Sequence, residues 1–574
     1  MQEFLIHFLN KKVLFTTILL TSAGATYAQG SLAIDPKFVH VDSDKHLVLI
    51  NAPVHQFNAK HEALHTLQLG GQEFVLEQPV PQVSTSQAYS TTAGKTHYTV
   101  YFTQLPIVTI NTHNQIVNEP SVYAAFSLVD TSGTATQSAM GIEFRGSSSQ
   151  GLPKKSYELD LWADTLGTES QDLSLLGMRT DNKWNLQAMY TDQQRLRSKV
   201  AYELWDEMNK LYYQDKEPEA KHGIAMAYTE VFVNDSYQGV FALAERVDRK
   251  QLKLKKYNKG IMGELYKGVN ADDGASTFVS VPSADNSSPT WGGFEYKEPS
   301  EQIDWTNLQN FVDFVVNSSD ADFYSKYKSY FRFDNAVDYF IYLNLLGAAD
   351  NTGKNVYIAK YKPKEPYFYV PWDLDGTFGN NWQGYNNEPT DNLLSNGFYN
   401  RLRKDYSTTG FQAALASRWA ELRVAVITKE HIMAKFTQQN QYLMANNVYE
   451  REHLAWADYQ YDAAQLAYPA DWLTRRIAYL DKVFIAPNAV LSAAGAAPVA
   501  QLHVYPNPAS GYLSVAVGPA PCQLTIRDVS GKVVKQLAVA GGTTTLAINE
   551  LPKGLYLVSM TSAAATAVRK LVVQ

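Results

Sequence analysis

The stretch from Asp350 to Gly379 gathers side chains suited to phosphate chemistry. Asp350 and Asn355 are separated by four residues, and Asp373 and Asp375 flank Leu374. Between them lie two apolar runs, VYIAKY and YFYVPW, long enough to fold back as a hairpin that returns Asp373 to the neighbourhood of Asp350. In phosphoryl transfer an Asp accepts or orients the substrate hydroxyl proton, while an Asn and a later Asp hold a divalent cation over the phosphates. Oxygen donors of this kind suit Mg2+ or Mn2+. The same letters also read as a polar helix cap followed by a turn, and both readings stand at this level.

A second group lies in FRGSSSQGLPKKSYELDLW, residues 144–162. Small residues between two strands let backbone N–H groups approach a phosphate. Alternation along the following strand places Lys155 with Tyr157, Leu159 and Leu161 on one face, so an inward Lys155 would need an anion. The plain alternative is a polar hairpin loop with surface lysines. Downstream, RLRSKVAYELWDEMNKLYY (195–213) has helical periodicity, with Leu196, Val200, Leu204 and Met208 on one face and Arg197 near the centre of that stripe. A buried Arg must be paired, and Asp192 just before the helix is a partner and a capping residue. Glu203 and Glu207 lie towards the other edge, within expected reach of Lys155. Glu245 shares a strand face with Phe241 and Leu243, either as a hinge contact to a nucleotide or as a satisfied structural carboxylate.

These groups need elements to hold them. The 574 residues exceed one core, and a 45% hydrophobic, 19% charged composition is that of a folded globular chain. A net charge of −7 argues against a nucleic-acid binder. Lys11 and Lys12, an apolar run and the small-residue site at Thr26 and Ala28 read as a signal peptide over 1–28, and no later segment reaches membrane length. The single Cys522 allows no internal disulfide. Residues 30–100 read as a small β-domain. The main domain spans 105–487, strand-rich with one helix at first and helical from 301. A linker at 488–501 leads to a β-sandwich over 502–574.

The last module resembles the type A sorting domain of the Bacteroidetes type IX secretion system, through YPNP, Gly511, D-x-x-G-K, L-x-x-G-x-Y and a final basic-apolar strand. That resemblance implies handling by the type IX machinery and export across the outer membrane, to the surface or the medium. The main domain is identified as a member of the CotH (spore-coat protein H) kinase family. The matching blocks are IEFRGSSS…PKKSY, KWNLQAMYTDQQRLR, VFVNDSYQGVFALAERVDR and LGAADNTGKNVYIAKY…VPWDLDGTFG, in family order. Ser147 and Gln194 depart from residues common in the family.

The resemblance implies an α+β fold: an atypical protein-kinase-like two-lobed domain flanked by small all-β domains. It implies an ATP-dependent kinase using Mg2+ or Mn2+ and acting on Ser or Thr of secreted or surface proteins. Asp350 would be the catalytic Asp, Asn355 and Asp373 metal ligands, and Asp375 an auxiliary ligand. Lys155 would be the phosphate-binding lysine. Arg145 and Gly146 would open the phosphate loop and Glu245 would mark the hinge; Arg197, from its place on the helix, is either a structural ion pair or a contact of the cofactor site. A rival reading is a non-catalytic surface protein using the same fold to bind glycan or matrix. Glycoside hydrolysis by Asp350 and Asp373 would leave Asn355 and Lys155 without a role.

Overall fold

A computed structural model describes residues 30–59, 63–485, 502–518, 520–562 and 566–574. The expected signal peptide and linker lie outside the described residues. The chain divides into two compact units, Met1–Ile485 and Ala486–Gln574, and mixes helices with several sheets.

The first unit opens with strands β1 (Ser31–Ile34), β2 (Val39–Asp42), β3 (Leu47–Ile50), β4 (Leu64–Leu69), β5 (Gln72–Val80), β6 (Ala88–Ala93) and β7 (Thr96–Phe102), with a short helix α1 (Val54–Asn58). They form one sheet in the order β1-β4-β5-β6-β7-β3-β2. The sequence of β3, LVLI, does not alternate because both of its faces are covered. Val48 and Ile50 enter the sheet's own core, while Leu47 and Leu49 pack against Ile107, Phe232 and Tyr237 of the next layer. At the same seam the ring of His40 stacks on Phe232, 5.3 Å between centroids.

That next layer is a closed barrel. It contains β8 (Ile107–Asn111), β9 (Val122–Val129), β10 (Ala135–Arg145), β11 (Ser156–Trp162), β14 (Lys183–Gln187), β15 (Met226–Val233) and β16 (Ser236–Ala244); β12 (Leu173–Ser174) and β13 (Thr180–Asp181) form a separate ribbon. Parallel pairing of β8 with β15 completes the ring, in which every other pairing is antiparallel. Tyr157, Leu159 and Leu161 point inward onto Met140, Ile142 and Trp184, as alternation requires. Asn234 and Asp235, at φ 49° and 62°, make the two-residue turn between β15 and β16. Helix α2 (Arg197–Met208) leaves the barrel after β14. It ends earlier than the 195–213 periodicity suggested, because Asn209 turns extended and its amide donates to Asp338 at 2.9 Å.

A second sheet contains β17 (Glu264–Val269), β18 (Thr290–Trp291), β19 (Phe294–Glu298), β20 (Lys354–Lys360) and β21 (Tyr367–Pro371), in the order β18-β19-β17-β20-β21. Around it stand α3 (Thr306–Asn317), α4 (Asp320–Tyr330), α5 (Phe333–Leu346), α6 (Gly397–Leu402), α7 (Phe411–Leu422), α8 (Lys429–Ala445), α9 (Val448–Ala455) and α10 (Ala467–Val483). Helix α5 is buried from Asn335 to Leu346 and forms the centre of the main core.

Helix α9 carries an unusual pair. Arg451 and Glu452 are adjacent and both fully buried. Successive helical residues point about 100° apart, so α9 must be enclosed on two sides. Arg451 reaches Glu230 of β15, and Glu452 accepts from Lys154 Nζ at 2.7 Å, Arg195 Nη2 at 3.0 Å and the Val240 N–H at 2.5 Å. A Cβ at Gly239 (φ +85°) would strike the Glu452 carboxylate, so β16 keeps glycine there. The second unit, with strands from Leu502 to Val573 in a three-stranded and a four-stranded sheet, packs Leu513, Val515, Leu524, Ile526, Val558 and Leu571.

Two predictions follow from burial. Glu452→Ala leaves Lys154 and Arg195 buried without a counter-charge and should cost about 3–5 kcal/mol in urea unfolding; a loss under about 1 kcal/mol would mean that the cluster is not electrostatically integral. Burial pushes the His40 imidazole down to about 4 from its ordinary 6.5, so the fold holds it neutral while the unfolded chain takes up a proton. Stability should therefore be independent of this group above pH 6.5, fall by roughly 2–3 kcal/mol as pH drops from 6.5 to 4, and level off below. His40→Phe should flatten that slope, and an unchanged slope would refute the assignment.

Candidate functional site

Helix α5 ends at Gly347, which adopts the left-handed conformation (φ +65°) and donates back to the Leu343 and Asn344 carbonyls. A Cβ there would sit 2.8 Å from the Trp472 ring, so only glycine allows this stop. The chain then makes a single 3₁₀ turn, Ala349–Thr352, that presents Asp350, and enters β20. β20 and β21 pair with Val356 opposite Pro371, which returns Trp372 and Asp373 to the start of the hairpin. The Trp372 N–H donates to the Asn355 carbonyl at 3.2 Å. The amide of buried Asn351 donates to the carbonyls of Asn355 (2.7 Å) and Trp372 (2.8 Å), tying the two strand ends together.

The structure thus brings Asp350, Asn355, Asp373 and Asp375 to one recess, lined also by Asn381, Trp382 and Glu388. Asn355 and Asp373 both have φ 55°, a conformation that non-glycine residues adopt at some energetic cost. Asp373 is held by its N–H, which donates to the Tyr202 hydroxyl at 3.0 Å. Asp375 accepts from Thr191 Oγ1 at 3.2 Å and from the Gly376 N–H at 2.9 Å. Burial, and then the charge of Asp373 beside it, push the Asp375 carboxyl up to about 7. Asp350 is one-third exposed, and Lys354 Nζ lies 3.6 Å from its carboxylate.

The recess leaves about 20 Å³ of free space, room for one water or ion. Among the described residues no three His, Cys, Asp or Glu side chains converge as a metal site. Mg2+ is commonly held by one or two carboxylates and completed by phosphates and water. Asp373 and Asp375, two crowded acids, with the Asn355 amide fit that pattern. A larger groove of about 530 Å³ beside α8 and α9 is lined by Tyr449, Glu450, His453, Tyr459 and Tyr461, but those groups are already engaged: Glu450 by Tyr101, His453 by the Tyr459 carbonyl and Tyr461 by Asn440. Size therefore does not mark the chemical site.

Other expected site residues are placed differently. Lys155 Nζ, expected at the phosphates, donates in this structure to the Gln150 and Leu152 carbonyls of its own loop and does not line the recess. β11 begins at Ser156, so the alternation that faced Lys155 inward does not reach it; Lys154 is the buried lysine, but it is sealed against Glu452. Glu203 and Glu207 do not approach Lys155 either, since they pair with Lys199, Lys435 and His431. Arg197 is held by Asp192 at 2.7 Å and donates to Asn386 at 3.2 Å, and Asp192 accepts the Leu196 and Arg197 N–H groups at the start of α2. Arg197 is thus a positioning group rather than a free nucleotide contact. Glu245 is fully buried and accepts from the N–H groups of Arg179 and Ala225 and from Lys221, which leaves the expected hinge role without an available carboxylate. Gly146 (φ +97°) opens the loop after β10. Arg145 lies over the Trp372 ring, 5.4 Å from its centroid, next to Asp373 in sequence.

Comparison with known proteins agrees in part with this picture. Residues 142–480 match the CotH kinase protein family, and residues 503–574 match the secretion system C-terminal sorting domain. No curated protein matches. A solved structure of PorZ, a bacterial surface component of the type-IX secretion system of Porphyromonas gingivalis, is 22% identical over 13% of this chain and 11% of its own, with a TM-score of 0.12. The sorting domain indicates export by the type IX machinery to the surface or the medium, and no described helix is long and apolar enough to cross a membrane. The chain, carrying its family match over more than half its length, belongs to the CotH kinase protein family.

Proposed function

We propose that the chain is an exported protein kinase that transfers the γ-phosphate of ATP to Ser or Thr of secreted or surface proteins. One observation carries the reading: Asp350 and Asn355, at one end of the β20–β21 hairpin, and Asp373 and Asp375, at the other, line a single recess, two of the four in left-handed backbone conformations. In this reading the barrel with α2 is the smaller lobe of a kinase-like domain, and the second sheet with α3–α10 is the larger.

Asp350, at the rim, orients the substrate hydroxyl and takes its proton as the oxygen attacks the γ-phosphorus. The bond from that phosphorus to the β,γ-bridging oxygen breaks, and ADP leaves with the electron pair. Asp373 and Asn355, with Asp375 beside them, would hold Mg2+ or Mn2+, which neutralises phosphate charge when bound. Tyr202 fixes the backbone of Asp373, and Asn351 fixes the spacing of the two strand ends. Such catalysis rests on positioning and charge more than on covalent chemistry.

The full chain, incubated with ATP and Mg2+ or Mn2+, should phosphorylate itself or a Ser-rich acceptor protein. Asp350→Ala should lower transfer roughly 10²–10⁴-fold while keeping nucleotide binding. Asp373→Ala should remove metal-dependent nucleotide binding as well. No transfer together with no metal-dependent nucleotide binding by calorimetry would overturn the reading. Because Asp373 and Asp375 repel one another, millimolar Mg2+ should raise the melting temperature of the wild type, and Asp373→Asn should shrink that rise; equal shifts in both would place the cation elsewhere.

A further inference from the structure

With Lys155 turned to its own loop and Lys154 sealed under α9, the recess still needs a cation for an anionic ligand. The second sheet supplies one. Lys267 stands in β17 opposite Tyr357 of β20 and Glu295 of β19, so the three side chains share a face of the sheet. The opposite face of β17 carries Tyr266, packed on Trp305, and belongs to the core. On the Lys267 face, Tyr357 packs edge-on against Trp372 at 6.0 Å, and Arg145 of β10 lies over that same Trp372. Asp373 follows Trp372 directly, and Asn355 precedes Tyr357 by two residues on the same strand. The site acids and the two cations therefore border one aromatic patch.

Neither cation is neutralised by a partner. Among the described residues the side chains of Lys267 and Arg145 make no hydrogen bond and no ion pair within 4.0 Å. The acid nearest to Lys267 in register, Glu295, is taken by Lys297 at 2.8 Å. Lys267 is largely enclosed, and burial lowers its affinity for a proton, with Arg145 adding to the effect and Glu295 and Asp373 opposing it. A half-buried lysine without an ion-pair partner carries a desolvation cost, and such groups are found where a ligand supplies the missing charge.

We propose that Lys267 and Arg145 form a two-cation clamp for the phosphate chain of a nucleotide, so that Lys267 fills the place expected of Lys155. This rests on the kinase reading of the same recess for the identity of the ligand, whereas the clamp itself requires only a polyphosphate. Arg145 offers a planar fork from the barrel and Lys267 a point charge from the second sheet, which suits successive phosphate groups.

The test is calorimetric titration of the full chain with MgATP, with inorganic tripolyphosphate and with adenosine. The wild type, Lys267→Gln, Lys267→Arg and Lys155→Gln are compared. Lys267→Gln should weaken MgATP and tripolyphosphate at least tenfold, leave adenosine unchanged, and keep or raise the melting temperature, because a half-buried charge without an ion-pair partner is removed. Lys267→Arg should recover most of the affinity, and Lys155→Gln should bind like the wild type. If the wild type binds MgATP and Lys267→Gln binds it equally well, the clamp is refuted and the kinase reading stands. If the wild type binds tripolyphosphate through Lys267 but distinguishes no nucleotide, the clamp stands and the kinase reading falls. A melting temperature that drops in Lys267→Gln together with equal losses for adenosine and tripolyphosphate would show a structural lysine and overturn the proposal.

Discussion

The rest of the first unit depends on the burial of Glu452. Three charges meet there, Glu452, Lys154 and Arg195, all without solvent contact. Removing ions from water costs several kcal/mol for each, and mutual attraction offsets this only when geometry and hydrogen bonding are nearly complete. Burial works against the Glu452 charge, yet Lys154 and Arg195 outweigh it and hold the carboxyl below its ordinary range. Burial likewise pushes the Lys154 ammonium down to about 8, against the pull of Glu452. Such a cluster contributes more to uniqueness than to stability: a slip of α9 by one residue would leave both partners stranded.

What this fixes is the start of α2. Arg195 also donates to the carbonyls of Met189, Tyr190 and Asp192, so the turn before α2 is gripped from inside. Asp192 in that turn caps α2 and holds Arg197, and one turn further along the helix Tyr202 receives the Asp373 N–H. Thr191 in the same turn reaches Asp375. The barrel side thus sets the backbone and one carboxylate of the acidic recess, although the recess itself is built from the β20–β21 hairpin. Strain at Asn355 and Asp373, on the order of 1 kcal/mol each, persists because Asn351 and Tyr202 leave those residues no relaxed alternative.

Local chemistry was legible in the sequence and long-range closure was not. The Asp350-to-Asn355 spacing, the hairpin that follows and the Asp192–Arg197 pair involve neighbours within a few residues or one turn of chain, where periodicity and capping rules apply. Lys155 shows the limit. Alternation placed Tyr157, Leu159 and Leu161 inward as the barrel has them, but it was extended one residue beyond the strand, and a shift of one position exchanges Lys155 for Lys154. Glu452, 298 residues from Lys154, carries no local signal of burial because an Arg-Glu pair on a helix normally reads as a solvated face. Barrel closure rests on a parallel pairing of β8 with β15, more than a hundred residues apart. Lys267 sits in ELYKGV, an ordinary strand sequence, and only its register against Tyr357 and Glu295 sets it on the sheet face that carries the Tyr357–Trp372 aromatic pair.

The electrostatics of the recess are unbalanced in both directions at once. Asp375 is crowded by Asp373 on one side, while Lys267 and Arg145 go unpaired on the other. These groups are mounted on different supports: Arg145 on the barrel, Lys267 on β17, Asp373 beyond the end of β21 and Asp375 against Thr191. In the proposed reading, keeping Asp373 beside Asp375 and leaving Lys267 and Arg145 without ion-pair partners raises the free energy of the empty site, and a ligand that brings both signs in the right order would recover it. A polyphosphate accompanied by a divalent cation has that pattern, cation toward the carboxylates and phosphates toward Lys267 and Arg145. A neutral glycan has neither charge, which is why the proposed function takes phosphoryl transfer over carbohydrate binding at this recess.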